Sequence, residues 1–331
     1  MILPYLKTRA TDLHKKILLG DATDERILKA AAIAIDEHIA EIELVGDEEL
    51  IRAAIAAYVP SLDGIKIWSV KNFPARDSLT DEYIERRLSK VNDAETARQE
   101  VLSDELLFGS LLVRAGYADG LVAGSVSTTA AVIRAGLRGI GLDESVRSLS
   151  SMFLMDFPAI EGLRESRTYA FADCAVIPDP DAHQLADIAL STASTYTKLT
   201  GIEPRIAMLS FSTKGSASND STKKVALATE IVRERNRDLI IDGELQFDAA
   251  FVPSVAERKA SGSPLAGSAN VFIFPNLDAG NLGYKIAERL GMGQAIGPIL
   301  QGLSKPLNDL SRGASVDDIV TMIAVTSVLG Q

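Results

Sequence analysis

The sequence predicts an α/β fold of two domains, each a mostly parallel sheet under covering helices, and three observations lead there. Apolar runs of strand length alternate with helix-period segments from Lys15 to Ser69: KKILLG, ATDERILKAAAIAIDEHIA, EIELVG, DEELIRAAIAAY and IKIWSV, which is βαβαβ. The composition is 47% hydrophobic but only 5% aromatic, so the cores must be built from Ala, Ile, Leu and Val, as in helices packed on parallel strands. At 331 residues the chain exceeds the usual size of one domain, and its pattern resets around Asp143–Ser150, where a second series of strands and helices begins.

After the βαβαβ segment, residues 80–118 read as two or three helices, among them YIERRLSK and DELLFGSLLVRAGYA. Arg86, Arg87 and Lys90 crowd one short stretch there; such clusters are ordinarily a solvated face. DGLVAG is a strand ending at Gly124, and STTAAVIRAGLRGI after it is a helix carrying Arg134 and Arg138, with Ser127, Thr128 and Thr129 at its entrance. Hydroxyls at a strand-to-helix turn are common helix caps. In open α/β sheets the same turns, at the carboxyl ends of strands, also wall the ligand crevice.

In the second series SLSSMFLMDF, TYAFADCAVI and RIAMLSF read as strands, and DAHQLADIALSTASTYTKLTG and STKKVALATEIVRERN as helices. GSASNDSTKK has the Gly and Ser of a phosphate-cradling loop but lacks the Gly-Lys-Ser/Thr end, so it fails as a P-loop. ANVFIFPN is a buried strand leading to the helix AGNLGYKIAERLG, whose opening holds Asn281, Tyr284 and Lys285. Glycines there let a ligand approach the backbone, or simply make an ordinary connecting loop. GQAIGPILQG is the last strand-like segment, and KPLNDLSRGASVDDIV runs from a loop into the final helix. Ser315 stands three residues before Asp318, the spacing of a capping box. Ser311, Arg312 and Asp318 therefore gather near a helix N-terminus, whose free N–H groups and partial positive charge favour an anion.

Charge and composition exclude several classes. With 34 basic and 45 acidic residues the net charge is −11, which argues against nucleic acid and against an anionic membrane as partners. Cys174 is the only cysteine, so there is no intrachain disulfide and no cysteine metal cluster, and three scattered histidines argue against a histidine metal site or triad. No signal-peptide core and no run near the ~20 apolar residues of a membrane span is found, so a cytoplasmic location is expected. The first strand runs into Gly20-Asp21-Ala22-Thr23 with no GxGxxG, which disfavours a nicotinamide site.

The blocks ERRLSK, ADGLVAGSVSTTAAVIRAGL, FADCAVIPDP, MLSFSTKGSA, ANVFIFPNLDAGNLGYK and KPLNDLSRGASVDDIV resemble the phosphate acetyltransferase (phosphotransacetylase) family, related to the phosphate butyryltransferases. The resemblance covers most of the chain from about residue 80 onward and is pattern more than motif before that. It implies two α/β domains, residues 1–146 with 301–331 and residues 147–300, an active-site cleft between them, and a homodimer. The implied reaction is reversible acetyl transfer between acetyl phosphate and coenzyme A, with phosphate released and with neither a metal nor a bound cofactor. By motif, Ser311, Arg312 and Asp318 match the family's catalytic positions, and Arg87 and Arg134 its coenzyme A-contacting arginines. Ser127, Thr128, Thr129, Asn281, Tyr284 and Lys285 are the further expected substrate-binding residues. Ala314 stands where some members have cysteine, so no thiol chemistry is available at that position.

The residue types suit that chemistry with one difficulty. A free thiol has a pKa of about 8.5 and an aspartate one of about 3.9, so direct transfer to an ordinary aspartate is uphill by roughly 6 kcal/mol. Asp318 therefore needs exclusion of water around it, with Arg312 and the helix N-terminus holding the thiolate or the leaving phosphate and Ser311 donating to the developing oxyanion. Three alternatives compete: the same transfer on propanoyl or butanoyl phosphate, a nicotinamide-dependent dehydrogenase-like protein, and a non-catalytic ligand-binding protein of the same fold. The absent glycine fingerprint and catalytic histidine weigh against the second, and intact Ser311, Arg312 and Asp318 against the third.

Overall fold

The chain opens with α1 (Leu3–Leu13) and continues through β1 (Lys16–Leu19), α2 (Glu25–Asp36), β2 (Glu41–Val45), α3 (Glu48–Tyr58) and β3 (Ile67–Trp68). Asp24 and Asp47 begin α2 and α3 as N-caps, each accepting backbone N–H groups of the first turn, which is why TDE and GDE punctuate the sequence there. Ile17, Leu18, Leu19 and Leu44 are fully buried, as strands covered on both faces require. The chain then forms α4 (Arg76–Arg87), α5 (Ala94–Ser103), α6 (Glu105–Arg114), β4 (Gly120–Ala123) and α7 (Thr129–Ala135), the last extended by a π-helical turn over Gly136–Ile140.

Next come β5 (Ser150–Phe157), β6 (Arg167–Ala172), α8 (Ala182–Thr200), β7 (Arg205–Leu209), α9 (Asp220–Arg235), β8 (Ile240–Leu245), α10 (Phe247–Phe251), α11 (Pro253–Lys259), β9 (Val271–Ile273), α12 (Leu277–Gly291) and β10 (Gln294–Gln301). The chain closes with β11 (Leu307–Asp309) and α13 (Val316–Leu329). This computed structural model describes residues 2–87, 93–159 and 167–331, so Lys90 and the end of the ERRLSK block lie outside the described residues. One unit comprises Leu3–Asp143 with Leu303–Gln331, the other Glu144–Gly302 joined by Ile2.

The sheet of the first unit has the order β11-β4-β1-β2-β3, and every pairing is parallel. Strand order reverses between β1 and β4, so the carboxyl ends of these two strands, at Gly20 and Gly124, flank the point where open α/β sheets take ligands. Helix α13 packs Ile319, Ile323, Val325 and Val328, all buried, against α1, α2 and the sheet. The short strand β11 was not expected: only Leu307 in it is apolar, and its register, with Asp309 opposite Ala123, is set by pairing with β4. Asn308 sits fully buried in it, its amide donating to Thr326 Oγ1 at 2.9 Å.

The sheet of the other unit has the order β10-β5-β6-β9-β7-β8, with β10-β5 and β5-β6 antiparallel and the rest parallel. The fold is thus α/β with mostly parallel sheets, as the sequence predicts. Several strands are shorter than expected: ANVFIFPN is extended only over Val271–Ile273 and IKIWSV only over Ile67–Trp68. TYAFADCAVI stops at Ala172 because the Asp173 carboxylate accepts the backbone N–H groups of Ala175 (3.0 Å), Val176 (3.2 Å) and Ile177 (2.9 Å), which curls the chain into a turn.

Candidate active site

Beyond β11 the chain turns sharply through Ser311 and Arg312, both exposed, with Ala314 N–H donating to Ser311 O at 2.9 Å and Gly313 N–H to Ser311 Oγ at 3.2 Å. The expected capping box forms at α13. Asp318 N–H donates to Ser315 Oγ at 3.1 Å, and Asp318 Oδ2 accepts from Ser315 N–H at 2.9 Å and from Ser315 Oγ at 2.8 Å. Asp318 is exposed. The turn is held from behind by Arg26, whose guanidinium donates to the carbonyls of Arg312 (2.9 Å), Ala314 (2.9 Å) and Ser125 (3.0 Å) and is itself paired with Asp24 at 2.7 Å. The Arg312 guanidinium has no carboxylate partner among the described residues, and the residue is exposed.

The hydroxyls before α7 are already committed within the unit. Ser127 Oγ donates to Asp21 Oδ1 at 2.6 Å, and Asp21 Oδ2 accepts the N–H groups of Gly124 (2.8 Å), Val126 (3.2 Å) and Ser127 (3.2 Å). Thr128 caps α7 by accepting from Ala131 N–H at 3.2 Å, and Thr129 Oγ1 donates to Asp309 Oδ2 at 2.7 Å. Two aspartates at the ends of β1 and β11 therefore fix the turn that leaves β4. Beside it a cavity of about 380 Å³ is lined by Gly20, Asp21, Val45, Glu105, Ser127 and Ala131. Burial, more than the nearby Asp47 and Asp21, pushes the Glu105 carboxyl up from its ordinary range.

Among the arginines of this unit, Arg86 and Arg138 are engaged: Arg86 donates to Gly139 O at 2.9 Å, and Arg138 pairs with Glu100 at 3.1 Å. Arg87 and Arg134 are different. Arg87 is half-buried at the end of α4 with its guanidinium 5.8 Å from the Tyr83 ring, and its Nε finds no hydrogen bond among the described residues. Arg134 is exposed on α7, and neither it nor Arg87 has a carboxylate partner among the described residues.

In the other unit Asn281 Nδ2 donates to Cys174 O at 3.0 Å, so this amide braces the turn after β6. Tyr284 stacks on Phe153 with centroids 4.1 Å apart, and burial raises its phenol. Lys285 is exposed, its ammonium 5.9 Å from the Tyr284 ring. Cys174 is fully buried, and burial followed by the charge of Asp173 pushes its thiol well up, the opposite of what an acyl-carrying nucleophile needs.

Arg26, Asp21 and Asp309 escaped the sequence reading. Arg26 meets Arg312 across 286 positions, and no local pattern signals such a contact. The one available clue concerned Asp21, which follows the apolar run of β1, where a parallel strand delivers its residues to the ligand edge; Asp309 follows no such run.

The fold is α/β, and Ser311, Arg312 and Asp318 stand near the start of α13 in the same unit as the arginines Arg87 and Arg134 that have no carboxylate partner among the described residues. The sequence profile described as phosphate acetyl/butaryl transferase matches residues 1–327, and the chain belongs to that family. It is 46% identical to the phosphate acetyltransferase of Bacillus subtilis over 312 residues, covering 94% of each chain. With the phosphate acetyltransferase of Thermoanaerobacterium thermosaccharolyticum it shares 45% identity over 331 residues, covering 100% of this chain and 99% of the other. The crystal structure of a phosphotransacetylase from Streptococcus pyogenes superposes with a TM-score of 0.92 at 42% identity, covering 99% of this chain and 98% of that one. No described helix is long and apolar enough to cross a membrane.

Proposed function

We propose that this chain transfers an acetyl group reversibly between acetyl phosphate and coenzyme A, releasing phosphate. The observation that carries the reading is the Ser311–Arg312 turn, clamped by Arg26 beside Asp318 at the start of α13, with the Arg312 guanidinium free of any carboxylate among the described residues. Arg312 seats the phosphoryl oxygens with its planar fork, and Ser311 donates to the oxyanion that develops on the carbonyl. Asp318 takes the thiol proton. Because Asp318 is exposed, the exclusion of water that this transfer needs falls to the bound substrates. The thiolate attacks the carbonyl carbon directly, the C–O bond to phosphate breaks, and the proton leaves with phosphate. Ser127, Thr128, Thr129, Asn281, Tyr284 and Lys285 complete the substrate contacts in this reading.

Arg87 and Arg134 bind the phosphates of coenzyme A, since an acidic protein that takes a polyanion must concentrate positive charge where the ligand lies. Each charge-assisted contact contributes about 1.5–3 kcal/mol, so Arg87→Gln and Arg134→Gln are each expected to raise the KM for coenzyme A roughly tenfold to a hundredfold. Acetyl phosphate KM and turnover should change much less, and added salt should imitate part of the effect in the unmodified protein. Steady-state kinetics with each substrate varied in turn checks this.

The protein acts in this reading as a cytoplasmic homodimer. Supporting the dimer, Leu282, Ile286 and Leu290 stand exposed at helical spacing on α12 with Met292 beyond them, an apolar row suited to a second copy. The function is tested by following thioester formation from coenzyme A with acetyl, propanoyl and butanoyl phosphate. The highest kcat/KM is expected with acetyl phosphate. A preference for butanoyl phosphate would move the chain to the longer-chain reading, and no thioester with any of them would end the proposal.

A further inference from the structure

Asp309 is buried to 1% exposure, two positions before Ser311, and none of the roles above uses it. Its Oδ2 accepts the Thr129 hydroxyl, while its Oδ1 is buried with no hydrogen-bond partner among the described residues. Gly124, at φ +112°, lets this arrangement exist, because a Cβ there would collide with Asp309 Oδ1. Leaving a buried carboxylate oxygen unpaired is costly, so a packing role alone is a poor account of an aspartate at this place.

Thr129 itself is exposed. A hydroxyl has one proton to give, and an ionised carboxylate can only accept. While Asp309 is ionised, the Thr129 proton must point inward, and only oxygen lone pairs face solvent. We propose that Asp309 is a positioning residue that fixes the Thr129 hydroxyl as an outward hydrogen-bond acceptor, matched to an N–H or S–H donor on the pantetheine arm of coenzyme A. This rests on the acetyl-transfer reading and deepens it. Acetyl phosphate, a mixed-anhydride dianion without N–H or S–H groups, gains nothing from such an acceptor.

The arrangement carries its own pH dependence. Burial, and after it the charge of Asp21, push the Asp309 carboxyl up to about 6 against the lowering effects of Thr129 and of the nearby Leu310 backbone N–H. Asp309 faces Asp21 from β1, Thr129 from α7 and the Gly124 backbone from β4; Arg312, Asp317 and Asp318 on the following segment are exposed. Below about 6 the protonated carboxyl donates to Thr129, the hydroxyl turns outward as a donor, and donor meets donor. Coenzyme A binding therefore weakens as pH falls through that value.

The experiment measures coenzyme A KM from pH 7.5 to 5 for the unmodified protein, Asp309→Asn, Thr129→Ser and Thr129→Val. Titration of the substrate phosphates is common to all four, so ratios between proteins are read. A neutral hydrogen bond lost corresponds to about a threefold to tenfold change. The unmodified protein and Thr129→Ser should show that extra rise at low pH, Asp309→Asn should not, and Thr129→Val should start raised by that factor at pH 7.5. Acetyl phosphate KM should stay level in all of them. Variants that share the coenzyme A KM and pH profile of the unmodified protein overturn the proposal.

A second measurement needs no substrate. A carboxyl raised in the folded state destabilises that state as pH rises from its unfolded value of about 4 through its folded one. The melting temperature of Asp309→Asn relative to the unmodified protein should therefore climb as pH rises through about 6, and a flat difference overturns the ionisation on which the proposal depends. Lack of turnover in the unmodified protein would instead sink the acetyl-transfer reading.

Discussion

Asp318→Asn is expected to lower turnover by about two to four orders of magnitude while the protein stays folded, the loss associated with removing a general base. Asparagine keeps the size of the side chain and an oxygen that accepts from Ser315, so the start of α13 retains most of its cap, whose complete loss would cost only about 1 kcal/mol. Loss of turnover and retention of melting temperature are thus separable. The coenzyme A KM should move little, because the aspartate is assigned to the proton and not to the phosphates. Single-turnover rates beside thermal melts make the comparison, and a variant with near-normal turnover would return Asp318 to the role of a cap alone.

Arg312→Lys should lower kcat/KM by roughly tenfold to a hundredfold, the range for a lost charge-assisted contact. Lysine keeps the charge but offers a point where the phosphoryl group meets a planar fork. The loop should not collapse, since Arg26 grips the carbonyls of Arg312 and Ala314 and not the side chain. The effect should fall on acetyl phosphate in one direction and on inorganic phosphate in the other. A change confined to coenzyme A kinetics would place Arg312 on the wrong substrate.

The parts of the fold that could be read from the sequence are those whose cause is local. Ile17–Leu19 declares itself as an apolar run because both faces of a parallel sheet are covered, and Asp24 and Asp47 mark the helix starts by capping them. The Ser315–Asp318 box is legible for the same reason, since three residues contain the whole interaction. What escaped depends on distant partners. Leu307–Asp309 is a strand only because β4 is beside it, and the strand at Arg167–Ala172 ends early because one carboxylate gathers three N–H groups. In the candidate site, Ser311, Arg312 and Asp318, the residues proposed to act, were visible through their motif, whereas Arg26, Asp21 and Asp309, which hold the surrounding turns, were not. Their contacts cross 99 positions from Arg26 to Ser125, 106 from Asp21 to Ser127, 180 from Thr129 to Asp309 and 286 from Arg26 to Arg312, so no local pattern signals them.

The central claim is that acetyl passes straight from phosphate to the thiolate, with no acyl group resting on the protein. Exchange of labelled inorganic phosphate into acetyl phosphate tests it most directly. With a small amount of coenzyme A present, label should enter acetyl phosphate through acetyl-CoA and the reverse reaction. Without coenzyme A, direct transfer allows no exchange, because phosphate cannot leave until the thiolate attacks. Rapid exchange in the complete absence of coenzyme A would reveal an acyl-enzyme and contradict the account.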